Sequence, residues 1–145
     1  MKNITEIEVR YQETDQMGIV YHGNYVVWFE IGRTKLIEEL GFKYASMEES
    51  GYFSPVTDIQ VSYKKPALYG ESVFVETSIG EYNGIRTVYA YTVKNAAGDI
   101  LCTGTSTHVV VRKDNFRPVP VRRVNKEWDE AYKQIVAGDF DGIRN

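Results

Sequence analysis

One long apolar helix, set among segments of strand-like alternation, is the feature that most restricts how this chain can fold. Between Asn24 and Leu40 the apolar residues recur at helical spacing. The residues that share the main face are Tyr25, Trp28, Phe29, Gly32, Leu36 and Leu40. Val26, Val27 and Ile31 widen this stripe, so we expect the helix to be largely buried.

The ends and the middle of this helix carry local signals of their own. Asn24 suits the N-cap position, and Gly41 suits the left-handed position just after the last turn. Gly32 in mid-helix costs about 1 kcal/mol relative to alanine. We take it as a sign that another backbone approaches closely there.

Strand-like alternation flanks the helix on both sides. Ahead of it, Ile7, Val9 and Tyr11 alternate with polar residues. After a loop around Ser54-Pro55, the alternation returns at residues 59–63, 73–79, 85–93 and 100–111, and a short helix is predicted over 126–136. Asn83-Gly84 predicts a tight turn between two of these strands.

This order of elements predicts an α+β fold in which an antiparallel sheet is wrapped around one long central helix. One domain over residues 1–138 accounts for all of the elements, and the tail 139–145 is expected to be loose. A partner subunit could protect the edge strand of such a sheet by pairing with it.

Composition excludes several functional classes. A chain of 145 residues with 43% hydrophobic residues and a net charge of −3 suits one globular domain and has no broad basic surface for nucleic acid. No segment reaches the roughly 20 apolar residues that span a bilayer. Cys102 is the only cysteine, so no intramolecular disulfide can form. Because no signal-peptide pattern is present, a cytoplasmic location is expected.

The segment with the clearest chemical content precedes the helix. It places the carboxylate of Asp15 in a loop rich in turn residues, just before the helix N-terminus. A helix start offers unpaired N–H groups and a positive dipole end, which can stabilise an oxyanion on an attacked carbonyl. A nearby carboxylate can act as a general base or attack directly. Because a thiol with a pKa of roughly 8.5 leaves without strong acid assistance, a thioester suits this machinery.

The same region resembles a known family. The matching residues are Tyr11-Gln12-Glu13-Thr14-Asp15, Gly18-Ile19-Val20-Tyr21-His22-Gly23-Asn24-Tyr25, and Phe29-Glu30 with Arg33. They resemble the 4-hydroxybenzoyl-CoA thioesterase group of hotdog proteins, which includes the small bacterial acyl-CoA thioesterases of the Tol–Pal gene cluster. The resemblance extends more loosely to about Val111.

The resemblance implies a hotdog fold and a cofactor-free acyl-CoA thioesterase. It implies that Asp15 is the catalytic base or nucleophile and that the backbone amide of His22 polarises the thioester carbonyl. It places Ser54 at the active site of the partner chain, in a dimer that commonly pairs into a homotetramer. The other motif residues assigned to substrate binding are Tyr21, Gly23 and Tyr25.

Two points of the family pattern do not transfer directly. Relatives often carry arginine or lysine at the turn where this chain has Asn83-Gly84, so Arg86, or Lys64 with Lys65, is assigned to the CoA phosphates. Acyl pockets vary in the family, and both an aromatic and an aliphatic acyl group stay open. Acyl carrier protein as the carrier, a non-catalytic acyl-CoA-binding module and a hydratase are the competing functions.

Each candidate also has a purely structural interpretation. Asp15 could cap a turn, and the ring of His22 could cap or pack. Glu13 is interpreted as solvent-facing or structural, and Glu30 with Arg33 as an i,i+3 ion pair. Cys102 is interpreted as a small core residue. The cysteine and the two histidines, His22 and His108, do not show the spacing of zinc ligands.

Overall fold

The computed structural model of this protein describes residues 1–138, and the predicted loose tail, 139–145, lies outside them. The strands are β1 (Asn3–Glu8), β2 (Tyr52–Phe53), β3 (Val56–Tyr63), β4 (Ser72–Tyr82), β5 (Arg86–Asn95), β6 (Ile100–Val109) and β7 (Val111–Arg112). The helices are α1 (Asn24–Glu39), α2 (Tyr44–Glu49), α3 (Val121–Val124) and α4 (Lys126–Ala137), with a 3-10 turn at Tyr11–Glu13.

Five strands form one antiparallel sheet in the order β1-β4-β5-β6-β3, and β2 pairs with β7 in a second, two-stranded sheet. Along β4, buried and half-buried residues alternate strictly from Ser72 to Ile79, as the period of the sequence predicts. The β4–β5 turn contains Asn83-Gly84, with Gly84 at φ +93°. The α+β class with an antiparallel sheet is therefore confirmed.

Helix α1 packs on the inner face of this sheet. Trp28, Phe29 and Leu36 are fully buried, and the Phe29 ring stacks on Tyr91 of β5 with centroids 4.3 Å apart. At Gly32 a Cβ atom would lie 2.4 Å from Thr77 Oγ1 and within contact of Val75. The predicted close approach is present, but side chains of β4 make it rather than another backbone.

Helix α1 does not cover the sheet alone, contrary to the single-helix prediction. Helix α4 packs against β4, and its Tyr132 hydroxyl lies 2.7 Å from the hydroxyl of Tyr89 on β5. Tyr82 at the end of β4 donates a hydrogen bond to Asp129 of α4. The bounds of α4 agree with the predicted 126–136 to within one residue.

Some local predictions were wrong. Tyr11 lies in the 3-10 turn and is exposed, because the strand ends at Glu8. Asn24 is the first residue of α1 and does not cap it; its side chain donates to the backbone oxygen of Glu13 at 2.8 Å instead. Gly41 does end the helix as predicted, with φ +90° and its amide bonded to Glu38.

Strand β3 forms one edge of the main sheet. Its neighbour is β6, and its other edge has no strand partner within residues 1–138. Val56, Ile59 and Tyr63 on this strand are exposed although they are large and apolar. An unpaired strand edge with exposed apolar side chains is the kind of surface that another chain can cover.

Cys102 lies on β6 in the core and is fully buried. Burial raises the pKa of its thiol to about 12. The structural interpretation of this residue is confirmed.

No helix within residues 1–138 combines the length and the apolar character that crossing a bilayer requires.

Candidate active site

Asp15 lies in a tight hairpin that leads to the start of α1. Its backbone amide donates to Ile19 at 2.9 Å, and Gly18, at φ +78°, donates back to Asp15 at 3.0 Å. The carboxylate oxygen Oδ1 accepts the amide of Met17 at 2.8 Å. Asp15 therefore does stabilise a turn, as the structural interpretation states. Its second oxygen has no hydrogen-bond partner within residues 1–138 and belongs to a half-buried side chain.

The start of α1 presents two unsatisfied donors. The amide of Asn24 donates to Tyr21 at 2.9 Å, whereas the amides of His22 and Gly23 have no acceptor within residues 1–138. These groups stand at the positive end of a 16-residue helix. The arrangement suits a developing negative charge.

A surface depression of about 280 Å³ lies at the start of α1 and is lined in part by His22, whereas Asp15, Tyr21 and Gly23 are not among its lining residues. It brings together four of the predicted site residues, His22, Tyr25, Lys64 and Lys65. The remaining residues that line it are Ile19, Val20, Tyr63 and Pro66. The depression is thus apolar on one side and carries two positive charges on the other.

Tyr63 is a site residue that the sequence interpretation missed. Its hydroxyl donates to the backbone oxygen of His22 at 2.8 Å, and its ring packs edge-on against those of His22 and Tyr25. The His22 ring also lies 4.3 Å from that of Tyr21 and is exposed. The only available signal was the position of Tyr63 at the end of a predicted strand.

Tyr25 lines the depression, and Gly23 lies near it in the chain at the helix start. The Tyr25 hydroxyl accepts the amide of Ala67 at 3.1 Å, and burial raises the pKa of this hydroxyl. A Cβ atom on Gly23 would lie 2.8 Å from the Tyr21 ring. Glycine therefore lets Tyr21 approach the helix start.

The two lysines differ in their partners. Lys65 Nζ lies 2.9 Å from Asp99, and this ion pair, followed by a bond from Asn95, lowers the pKa of the Asp99 carboxyl. Lys64 forms no ion pair within residues 1–138 and is exposed. Lys64 is the lysine whose charge is available to a ligand.

Arg86 and Ser54 lie at the other end of the main sheet. Arg86 pairs with Val109 at the start of β5 and forms an ion pair with Glu81 at 2.7 Å. Ser54 lies two residues before the start of β3, whose Val56 pairs with His108. The structure therefore does not bring Arg86 or Ser54 into the depression of their own chain.

A second cavity of about 250 Å³ opens at that end. Its polar lining residues are Glu30, Arg33, Thr34, Ser54 and His108. Its apolar and aromatic lining residues are Ile37, Tyr44, Met47, Pro55, Val56, Tyr89 and Trp128. The cavity could hold a flat apolar group that carries polar substituents.

A chain of hydrogen bonds runs along one wall of this cavity. Arg33 donates to the Tyr91 hydroxyl at 3.0 Å, which lies 2.6 Å from Ser106 Oγ. Ser106 Oγ lies 2.9 Å from His108 Nε2, and His108 Nδ1 lies 3.4 Å from the backbone oxygen of Ser54. Burial, followed by the charge of Arg33, lowers the pKa of His108 to about 4, so its ring is neutral at pH 7.

The predicted ion pair between Glu30 and Arg33 is wrong. Arg33 turns toward Tyr91, and Glu30 is exposed and forms no ion pair within residues 1–138. The two side chains share the second cavity instead.

No three His, Cys, Asp or Glu side chains within the described residues converge as metal ligands.

Glu13 is buried, with 4% of its surface exposed, so the solvent-facing interpretation was wrong and the structural one is confirmed. Its Oε2 accepts the indole N–H of Trp28 at 2.7 Å, and its Oε1 accepts the amide of Arg10 at 2.8 Å. The carboxylate joins the loop to the core of the protein.

Residues 9–129 match the sequence profile of the thioesterase-like superfamily. This chain belongs to that superfamily. The membership confirms the sequence prediction of a thioester-hydrolysing enzyme.

Individual relatives of this thioesterase cover different shares of the chain. It is 54% identical over 129 residues, 89% of this chain and 94% of the other, to the Bacillus subtilis protein named "Putative acyl-CoA thioesterase YneP". It is 27% identical over 95 residues, 66% of this chain and 71% of the other, to the Escherichia coli O157:H7 acyl-CoA thioester hydrolase YbgC. The association with the Tol–Pal gene cluster stays a prediction.

Solved structures agree with the fold. The DHNA-CoA thioesterase from Staphylococcus aureus superposes with a TM-score of 0.91 at 46% identity, over 94% of this chain and 91% of the other. The protein TT1821 from Thermus thermophilus superposes with a TM-score of 0.79 at 30% identity, over 93% and 98%. The expected hotdog thioesterase fold is therefore confirmed.

Proposed function

We propose that this thioesterase hydrolyses acyl-CoA, with Asp15 as general base or nucleophile and the amides of His22 and Gly23 as donors to the oxyanion. One observation carries the proposal: a carboxylate oxygen of Asp15 and two helix-start amides, none of which has a hydrogen-bond partner within residues 1–138, belong to the same short loop. The relationship to YneP supports CoA as the carrier.

The loop geometry supports a shared site. The backbone amide of Asp15 donates to Ile19, and the amide of Tyr21 donates to Glu13 at 2.8 Å. The loop segment that contains Asp15 therefore runs beside the segment that leads into α1. A carbonyl in the depression would face positive amides, and water or the carboxylate would attack it. The departing CoA thiolate needs no strong acid.

Asp15→Asn tests the role of the carboxylate. The asparagine oxygen can accept the same Met17 amide, so we expect the turn and the thermal unfolding midpoint to be preserved. Turnover, measured as CoA thiol release, should fall by about 10²–10⁴-fold, the range for losing a positioned acid or base. Full turnover in this variant would reject the mechanism. Transfer of ¹⁸O from labelled water into Asp15 during hydrolysis would distinguish the nucleophile from the base.

We further propose a dimer that forms by antiparallel pairing of β3 with β3 of a second copy. This strand runs from Val56, next to Ser54, to Tyr63 in the depression. Its eight residues span roughly 26 Å at 3.3 Å per residue. Antiparallel pairing brings the start of one strand opposite the end of the other. Ser54 and Arg86 of each chain would then approach the depression of the partner.

Mixed dimers test this arrangement. Chains with Asp15→Asn and chains with Ser54→Ala should each lose activity alone, and a mixture should regain one site that has both residues intact. Size measurement by light scattering gives the oligomeric state in parallel. No recovery in a proven mixed dimer would place Ser54 outside the partner's site. A homotetramer of two such dimers and a cytoplasmic setting stay predictions.

For the acyl group we propose a hydroxylated aromatic ring. In the proposed dimer, the cavity with Glu30 and His108 of one chain lies next to the depression of the other. Its aromatic walls with a few polar groups suit such a ring. The resemblance to the Staphylococcus aureus DHNA-CoA thioesterase supports this choice.

A panel of acyl-CoAs tests the substrate class. We expect hydroxylated naphthoyl- and benzoyl-CoA to give higher kcat/KM than unsubstituted benzoyl-CoA or straight-chain acyl-CoA. The preference for the hydroxyl should weaken in Glu30→Gln. The same acyl group delivered on acyl carrier protein tests the alternative carrier. Tight binding without turnover of any thioester would favour the non-catalytic module.

A further inference from the structure

We infer that Glu13 is a positioning residue of this active site, through which Asp15 and the helix-start amides are held in register. The inference rests on the function proposed above. Glu13 is a buried carboxylate in a loop whose neighbouring residues are exposed or half-buried, two residues from Asp15. Its side chain and its backbone contact different parts of the machinery.

The side chain of Glu13 joins the buried Trp28 of α1 to the backbone of the exposed Arg10. Oε2 accepts the indole N–H of Trp28 at 2.7 Å, and Trp28 is fully buried in the second turn of α1. Oε1 accepts the backbone amide of Arg10 at 2.8 Å, and Arg10 Nε lies 3.5 Å away. Charge-assisted bonds of this kind offset the cost of burying the carboxylate.

The backbone oxygen of Glu13 binds the segment that contains the amides. It accepts the amide of Tyr21 at 2.8 Å and the side-chain N–H of Asn24, also at 2.8 Å. These two donors flank His22 and Gly23. Glu13 therefore connects the loop segment that contains Asp15, the proposed oxyanion donors and the core of α1.

The hydrogen-bond inventory explains why a carboxylate is needed here. Both oxygens of Glu13 face N–H donors, and only an ionised carboxyl offers two acceptors. Glutamine presents one oxygen and one NH2 group, so its NH2 would face either the Trp28 indole N–H or the Arg10 amide. A buried donor would then lack an acceptor, and the loop would shift to relieve it.

The test compares Glu13→Gln with Trp28→Phe. Trp28→Phe removes the same hydrogen bond from the other side and keeps an aromatic ring in place. We expect each variant to lower kcat by about 100-fold, the cost of a misplacement of roughly 1 Å. The change in KM should be small because the Lys64 region is untouched. The double variant should lose less than the product of the two single losses.

Tyr82→Phe is the matched control for a general loss of stability. It removes a buried hydrogen bond between β4 and α4, away from the loop. We expect a lower unfolding midpoint with unchanged kcat. This contrast separates a positioning effect from weaker folding.

The outcomes separate the positioning role of Glu13 from a role in stability alone, and from the proposed role of Asp15. If Glu13→Gln and Trp28→Phe lower the unfolding midpoint but keep kcat, as Tyr82→Phe does, the positioning role is overturned. Should Glu13→Gln fail to fold, Trp28→Phe alone decides. Asp15→Asn is measured alongside. If Asp15→Asn loses turnover while Glu13→Gln and Trp28→Phe keep full activity, only the positioning role of Glu13 is overturned. Full turnover in Asp15→Asn overturns the proposed mechanism instead.

Discussion

The two ends of strand β3 are built in opposite ways. At the C-terminal end of β3, near Tyr63, several polar groups have no partner within the described residues. They are the second carboxylate oxygen of Asp15, the amides of His22 and Gly23, and the Lys64 ammonium. At the start, near Ser54, the polar groups of the cavity wall are joined in a chain from Arg33 through His108. The end near Tyr63 keeps several polar groups available, whereas at the start Arg33 and His108 are bonded internally and Glu30 has no ion pair within residues 1–138.

The contrast teaches how a small sheet can serve two purposes. Unsatisfied donors and charges are costly unless a ligand or water completes them, so they are expected where binding or chemistry takes place. Satisfied buried networks hold one shape. We therefore assign reaction to the Tyr63 end and the shape of the acyl site to the Ser54 end.

Among the substitutions that compare the two ends, the largest effect is expected at the reactive end, from Gly23→Pro compared with Gly23→Ala. Gly23 has φ −66°, which proline adopts, so proline removes the N–H with little change at its own φ. Both variants bring a Cβ toward Tyr21, which makes alanine the matched control. We expect proline to lower kcat by about 10²–10³-fold relative to alanine, the value of one oxyanion donor. Equal rates would remove this amide from the mechanism.

A smaller effect is expected at the shape-holding end, on stability rather than on rate. The folded pKa of His108 is about 4 and its ordinary value is 6.5, so the unfolded chain binds the proton more tightly. The stability that the neutral His108 ring contributes to the folded state is fully present above pH 6.5 and is lost as the pH falls toward 4. The loss should approach roughly 3 kcal/mol in the free energy of unfolding.

Denaturant unfolding between pH 4 and 7 measures this loss. His108→Gln should flatten the pH dependence in this window, because the titrating group is gone. His22→Gln is the matched control, since it removes the other histidine of the chain, which is exposed. An unchanged pH dependence in His108→Gln would show that the buried network does not depend on a neutral imidazole.

The smallest effect is expected from the two lysines of the reactive end. Lys64→Ala removes the charge that has no ion-pair partner, and Lys65→Ala removes one that is already paired with Asp99. A charge-assisted bond to a phosphate is worth about 1.5 kcal/mol, so KM for acyl-CoA should rise roughly tenfold in the first variant. The second variant should change KM less. The reverse order would assign the phosphate to Lys65.

The sequence predicted the elements whose signals are local. Helix α1 begins at the predicted Asn24 and ends one residue before the predicted Leu40, because spacing and Gly41 mark it. The turn at Asn83-Gly84 is formed by local residues: Gly84 is left-handed, and the Asn83 side chain accepts the amides of Ile85 and Arg86. Helix α2 and the two-residue strands β2 and β7 were missed, since they are too short to show a period.

Within the site, the sequence supplied the candidates but not their partners. Asp15 and His22 were predicted from a contiguous motif. The Trp28 indole bonded to Glu13, the ion pair of Lys65 with Asp99 and the turn of Arg33 toward Tyr91 join residues far apart in the chain. Spacing along one sequence carries no information on such pairs, which is why Glu13 was interpreted as solvent-facing or structural and Arg33 as paired with Glu30.

The sealed position of Cys102 has a practical consequence for kinetics. Its sulfhydryl is enclosed in the core and stays protonated at neutral pH, so disulfide-exchange dyes will not titrate the native enzyme. Colour that develops during turnover therefore counts liberated coenzyme alone. Adding denaturant afterwards exposes one further equivalent per polypeptide, which calibrates the enzyme concentration in the same cuvette.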